Sequence, residues 1–121
     1  MNLKMLPQRP LTNLDLEYYT THLKNFRGTF MRDALPKKPR RNELGIINLD
    51  NSQGLGTHWV AYQKEDSKVV YFDSFGNLQP PQEVIKYFDG AQIFYNHDNY
   101  QGSNPYNCGH LAIKFLYNKL K

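Results

Sequence analysis

Cys108 is the single cysteine in a chain of 121 residues, and it stands where a thiol can be made reactive. Asn107 before it is a good helix N-cap, and the segment CGHLAIKFLYNKL carries Leu111, Ala112, Phe115, Leu116 and Leu120 on helical spacing. This predicts a largely buried helix that opens at Cys108. Orphan backbone N–H groups and the helix dipole favour negative charge in a first turn, which lowers a thiol's pKa. The thiolate is the attacking species in cysteine catalysis. The competing reading is a small buried hydrophobe, the commoner fate of a lone cysteine. One cysteine forms no intramolecular disulfide and, with four scattered histidines, builds no cysteine-rich metal site.

A thiol nucleophile needs a base, and His58 and Asp73 form the best pair. HWVAYQ and KVVYFD are valine- and aromatic-rich runs separated by the polar turn KEDS, a hairpin signal. If Glu65 and Asp66 form a two-residue loop, partner numbers sum to 58 + 73 = 131 and His58 lies directly opposite Asp73. The carboxylate then accepts from one imidazole nitrogen and leaves the other to deprotonate a thiol, the role division of a catalytic triad. A three-residue loop would turn one of the two side chains to the other face. Taken singly, a histidine at a strand entrance and an aspartate opening an Asp-Ser-Phe-Gly turn are both commonplace. His110, two positions after Cys108, points about 200° around the helix axis from it. His22 is placed on the first helix with no polar neighbour set, and His97, in the loop before the cysteine, remains the rival to His58.

Further elements must position these groups. Thr12 or Asn13 followed by LDLEYYTTHL reads as a short capped helix with Leu14, Tyr18 and Leu23 on its apolar side. GIINLD, residues 45–50, is a strand closed by the polar loop NSQGLG. Both faces of the hairpin strands are apolar, which places them centrally in a sheet covered on each side. After Pro80 and Pro81, QEVIKYF reads as a helix of about two turns, stopped before Gly90; QIFYN, residues 92–96, is a strand, and HDNYQGSNPYN a polar loop. The order helix, strand, hairpin, helix, strand, helix gives a mixed α+β domain with a small central mixed sheet, spanning 1–121 as one unit.

No apolar run approaches the length of a spanning helix, and the first ten residues lack an export signal's apolar core. The chain is therefore expected to be soluble and unexported, in an intracellular, reducing compartment, and monomeric. A formal charge of +4 is concentrated in Lys37, Lys38, Arg40 and Arg41. That run suits a polyanion such as DNA, although Pro36 and Pro39 mark it equally as a solvated loop.

The ordered set GTHWVAY, then VVYFDSFG, then Gln101 seven residues before Cys108-Gly109 at a helix start, resembles the adenovirus maturation proteases and the related SUMO-deconjugating proteases. The likeness runs from about Gly45 onward; the N-terminal part matches less specifically. The resemblance implies a papain-like thiol hydrolase, circularly rearranged in order, with the nucleophile helix packed against the sheet. It implies that Cys108 is the nucleophile, His58 the general base, Asp73 its orienting acid and Gln101 an oxyanion-hole donor beside the Cys108 N–H. Trp59 corresponds to a cleft-narrowing tryptophan that favours glycine near the cut, with core packing as its alternative role. No metal or organic cofactor is implied, and DNA or another polyanion is the candidate activator. The adenoviral enzymes are longer beyond the nucleophile helix and carry glutamate where Asp73 stands, so in that respect the chain is closer to the SUMO branch. A disulfide-linked activator would consume Cys108 itself.

The expected activity is cleavage of viral or virus-like precursor proteins near glycine, in the host nucleus or cytoplasm and in virions. Alternatives are removal of ubiquitin-like modifiers, acyl transfer to a protein side chain, and an inactive nucleic-acid or protein binding module on the same scaffold.

Overall fold

The β-branched and aromatic residues between positions 42 and 72 form the middle of the sheet. The structure is a computed structural model and describes residues 3–50, 58–102 and 106–119. Among them, five strands lie side by side in sequence order: β1 (Phe26–Met31), β2 (Asn42–Asn48), β3 (Trp59–Glu65), β4 (Lys68–Phe72) and β5 (Gln92–Tyr95). β1 runs parallel to β2 and β4 parallel to β5, whereas β2, β3 and β4 are antiparallel neighbours. The helices are α1 (Asn13–Thr20), α2 (Gln82–Tyr87) and α3 (Cys108–Lys119), preceded by a 3-10 turn at Leu3–Met5. This is the mixed α+β architecture expected from the sequence.

Alternation along β2 and β3 feeds two cores. Leu44, Ile46, Trp59 and Ala61 pack with Leu16 of α1 and Ala112, Ile113 and Leu116 of α3. On the other face Ile47, Val60, Tyr62, Val69 and Tyr71 pack with Val84, Tyr87 and Phe88. A central strand covered on both faces must be apolar at successive positions, as WVAY is. Each fully buried aliphatic side chain contributes about 1.5–3 kcal/mol, so α3 is held to the sheet mainly by Ile113 and Leu116. Leu111 and Phe115, expected in that core, are half-buried, and Leu120 lies outside the described residues.

Three expectations are corrected. FRGTFM forms edge strand β1, which the sequence reading passed over: its register shifts between Phe26 and Gly28, and its residues are all half-buried, so no alternation is visible. In α1, Leu14 and Tyr18 are exposed, while Leu16 and Thr20 are buried. The helix ends at Thr20, leaving His22 and Leu23 beyond it. An eight-residue helix offers two apolar i,i+4 choices, and the buried Leu6 and Leu11 outside the helix decide between them. The start was read correctly, because Thr12 and Asp15 complete a reciprocal capping box. Finally, the hairpin register sums to 62 + 71 = 133, with Asp66 and Ser67 at the tip. Asp66 takes φ 53°, which aspartate tolerates, and its N–H donates to the Arg41 carbonyl at 3.0 Å, fixing the turn there. A register shift of two keeps every side chain on its expected face. The loop NSQGLG lies outside the described residues.

At the end of the sheet away from β3's first residue, Glu43 is a buried carboxylate, 1% exposed. It accepts from the Tyr62 hydroxyl, from Tyr87 Oη at 2.9 Å, from the Arg40 backbone N–H at 2.6 Å and from Arg27 Nη1 at 3.4 Å. Burial, reinforced by the Glu43 charge, holds the Tyr62 hydroxyl far above its usual pKa, so it remains a donor. Tyr62 reaches Glu43 by lying across Gly45, where an added Cβ would meet the tyrosine ring and hydroxyl at 2.5 Å. Gly45→Ala must displace Tyr62 and leave a buried charge under-satisfied. The expected loss is about 3 kcal/mol or more of unfolding free energy by urea denaturation, whereas an exposed Gly90→Ala control should lose less.

Candidate active site

His58 immediately precedes β3 and Asp73 immediately follows β4, so antiparallel pairing brings both to one end of the sheet. The imidazole Nε2 lies 2.8 Å from Asp73 Oδ1. The observed register, whose last pair is Ala61 with Phe72, does not set His58 directly opposite Asp73; the two meet just beyond the ends of the paired strands. The expected direct opposition of His58 and Asp73 is thus corrected, while their contact stands. Phe75, in the turn after β4, stacks on the imidazole, centroids 4.3 Å apart and planes 11° from parallel.

Asp73 is 1% exposed, so its charge depends on fixed donors. Oδ1 accepts from His58 and from the Phe75 N–H at 2.9 Å. Asn96 clamps the Asp73 backbone: its Oδ1 accepts from the Asp73 N–H at 2.9 Å and its Nδ2 donates to the Asp73 carbonyl at 2.7 Å. Gly76 closes the turn at φ 79°; any Cβ there would sit 2.2 Å from the Asp98 carbonyl oxygen.

Cys108 is the first residue of α3 and is 6% exposed. Burial disfavours charge on its thiol, but a hydrogen bond to His58, the backbone N–H groups of Trp59 and Gly109 and the imidazolium charge outweigh it and lower the pKa. Burial likewise opposes protonation of His58; hydrogen bonds to Asp73 and Cys108, with their negative charges, overcome it and raise the pKa to about 9. Since Nε2 is taken by Asp73, Nδ1 is the nitrogen left to interact with the thiol. The two groups titrate as a coupled pair, and the direction of both shifts favours thiolate with imidazolium near neutral pH. Asn107 contributes differently than expected. Its carbonyl accepts the first helical bond from the Leu111 N–H at 3.0 Å, yet its buried Oδ1 has no hydrogen-bond partner among the described residues.

Gln101 is 5% exposed and is anchored on the turn that carries Asp73. Ser74 Oγ donates to Gln101 Oε1 at 2.7 Å, and the Ser74 carbonyl accepts from the Tyr100 and Gln101 N–H groups at 2.8 and 3.1 Å. Holding the amide by its oxygen directs its NH2 away from Ser74 as a donor. Ser74, Phe75 and Asn96 were not singled out from the sequence. The Asp-Ser-Phe-Gly turn was visible as a turn, but nothing local marks its carbonyl, hydroxyl and ring as partners of residues about 20 positions away.

The remaining candidates separate cleanly. His97 Nδ1 pairs with Asn77 Oδ1 at 2.9 Å, His22 Nε2 lies 3.3 Å from Tyr117 Oη, and His110 Nε2 is 2.6 Å from the Pro7 carbonyl. The Trp59 indole packs in the core, 5% exposed, with its N–H donating to the Leu11 carbonyl at 3.0 Å. Lys37, Lys38 and Arg40 are exposed near the start of β2, and Arg41 pairs with Asp66. Register puts that region beside Glu65, at the other end of β3 from His58 and about 20 Å away. No cluster of His, Cys, Asp or Glu among the described residues has the makings of a metal site, and no described helix is long and apolar enough to cross a membrane.

No protein-family model and no curated protein matches the sequence. Solved structures do. The ASFV pS273R protease is 18% identical with a TM-score of 0.65, over 95% of this chain and 59% of that one. The SUMO protease Ulp1, with its catalytic cysteine oxidized to a sulfinic acid, is 16% identical with a TM-score of 0.59, over 98% of this chain and 70% of that one. The chain has the fold these two proteases share and spans 59% of the first.

The pair predicts an unusual thiol titration. A free thiol alkylates about tenfold more slowly per pH unit below its pKa of ~8.5. Because its pKa is lowered, Cys108 should react with iodoacetamide with a shallower pH dependence between pH 6.5 and 8 than a free thiol. In His58→Ala the ordinary slope should return, with at least a roughly tenfold loss at pH 6.5. A wild-type rate rising tenfold per unit through this range would contradict the ion pair.

Proposed function

We propose that the chain is a thiol endopeptidase with Cys108 as nucleophile, His58 as proton carrier, Asp73 as orienting carboxylate and Gln101 as oxyanion donor. One observation carries the proposal: His58 Nε2 lies 2.8 Å from the buried Asp73 carboxylate, and His58 and Cys108, at the start of α3, act on each other strongly enough to raise the imidazole pKa and lower that of the thiol. In this mechanism the thiolate attacks a peptide carbonyl carbon, forming a C–S bond while the carbonyl oxygen becomes an oxyanion. The Cys108 backbone N–H and the Gln101 side-chain amide stabilise that charge. The C–N bond then breaks as imidazolium gives its proton to the leaving amine. Neutral His58 next takes a proton from water, whose oxygen attacks the thioester and restores the thiolate and imidazolium.

For the substrate we propose a protein with glycine near the scissile bond, and a viral or virus-like precursor as its natural form. The adenovirus-type motifs in the sequence support this reading. A second reading, release of a ubiquitin-like modifier, is favoured by aspartate at position 73 and by the fold shared with the SUMO protease. DNA is retained as a proposed activator at Lys37, Lys38 and Arg40, acting from the far end of the sheet; neutralising the three should flatten any salt-dependent stimulation.

Glycine-containing peptides and a modifier conjugate distinguish the substrates when each is incubated with wild type, Cys108→Ala and Gln101→Ala. Cys108→Ala should abolish turnover, and Gln101→Ala should lower kcat by about 10²–10³ with KM little changed. Turnover that survives Cys108→Ala would sink the mechanism.

A further inference from the structure

Phe75 is 46% exposed, too open to be explained by core packing alone, yet its ring lies nearly parallel to the His58 imidazole at 4.3 Å. His58 itself has a side chain only 13% exposed, so the ring shields part of it from water. The same residue acts twice. Its backbone N–H donates at 2.9 Å to Asp73 Oδ1, the oxygen that also holds His58 Nε2. A single hydrogen bond at Nε2 leaves the imidazole free to tilt about the bond to its ring, and a tilt moves Nδ1 off the sulfur. A flat ring stacked on one face removes that freedom.

The face of an aromatic ring also carries negative quadrupole density, which attracts a cation lying over it within about 6 Å. Apart from Phe75, the groups that act electrostatically on His58 are Asp73, from the end of β4, and Cys108, from α3. Both favour imidazolium in their ionised forms, and a stacked phenyl ring adds in the same direction.

We propose that Phe75 is a positioning residue: its ring, stacked on His58, and its N–H, bonded to the shared Asp73 oxygen, together fix the imidazole plane and favour the protonated ring. This rests on the Cys108–His58 pair described above and deepens that reading. In this proposal Phe75 acts through His58 and not on the sulfur or the reacting carbonyl. The backbone N–H survives any substitution except proline, so side-chain variants isolate the ring.

The test is an NMR titration of the His58 Cε1–H resonance in wild type, Phe75→Leu and Phe75→Tyr, with thermal melting to confirm folding. Phe75→Leu should move the midpoint down from about 9 by at least about half a unit. Phe75→Tyr, which restores a stacked ring, should titrate within about 0.2 units of wild type. An unmoved midpoint in folded Phe75→Leu overturns the proposal, as does failure of tyrosine to restore a lowered one. If the leucine variant does not fold, wild type still decides: stacking requires an upfield ring-current displacement of the His58 ring protons, and ordinary shifts there overturn it. Cys108 alkylation separates the two readings. An ordinary wild-type thiol removes the protease mechanism while leaving a displaced His58 resonance, whereas an activated thiol with undisplaced His58 protons removes only the role of Phe75.

Discussion

Asp73 carries a charge in a place where water is excluded, and the geometry of the site follows from how that charge is accommodated. A buried carboxylate is tolerated only when donors are already in position. Here two reach the carboxylate, both at Oδ1: the imidazole from the start of β3 and the Phe75 N–H from its own turn, while Oδ2 has no hydrogen-bond partner among the described residues. Asn96, from the loop after β5, holds the backbone of Asp73 on either side of its side chain. The carboxylate in turn fixes the imidazole, and the imidazole sets the charge on Cys108.

The turn Asp73-Ser74-Phe75-Gly76 therefore couples functions that are separate in sequence. Asp73 hydrogen-bonds His58, Ser74 holds the amide of Gln101 by its oxygen, and Phe75 covers the imidazole face. Gly76 lets the chain pass against the Asp98 carbonyl, where no side chain fits. Anchoring one turn to the loop after β5 places Asp73 and Gln101, the proposed orienting acid and oxyanion donor, in one unit. The proposed nucleophile, Cys108, arrives separately, on a helix seated in its core by Ile113 and Leu116.

Much of this was legible in the sequence, and the reasons differ by residue. Cys108 at a helix start and the His58–Asp73 pair could be found because helix caps and hairpins have local rules, and because a two-residue slip in register preserves the face. The slip itself was invisible: EDS offers adjacent two-residue tips, and contacts of Asp66 with Arg41, Asn42 and Lys64 choose between them. β1 was missed since a bulged edge strand shows no alternation. The wrong face of α1 was chosen because Leu11 and Leu6, outside the helix, determine which side is buried. Ser74, Phe75 and Asn96 were out of reach for a different reason. Their roles are contacts between a turn and distant residues, which exist only once the sheet has formed.

The proposed mechanism requires the Asp73 contact to shift the proton from sulfur to imidazole. Thiolate ultraviolet absorbance at neutral pH, measured as the difference between the intact thiol and its alkylated form, tests it in wild type and in the isosteric Asp73→Asn. A thiolate band in wild type that is largely lost in Asp73→Asn is the predicted result. An equal band in both proteins, or none in wild type, would contradict it.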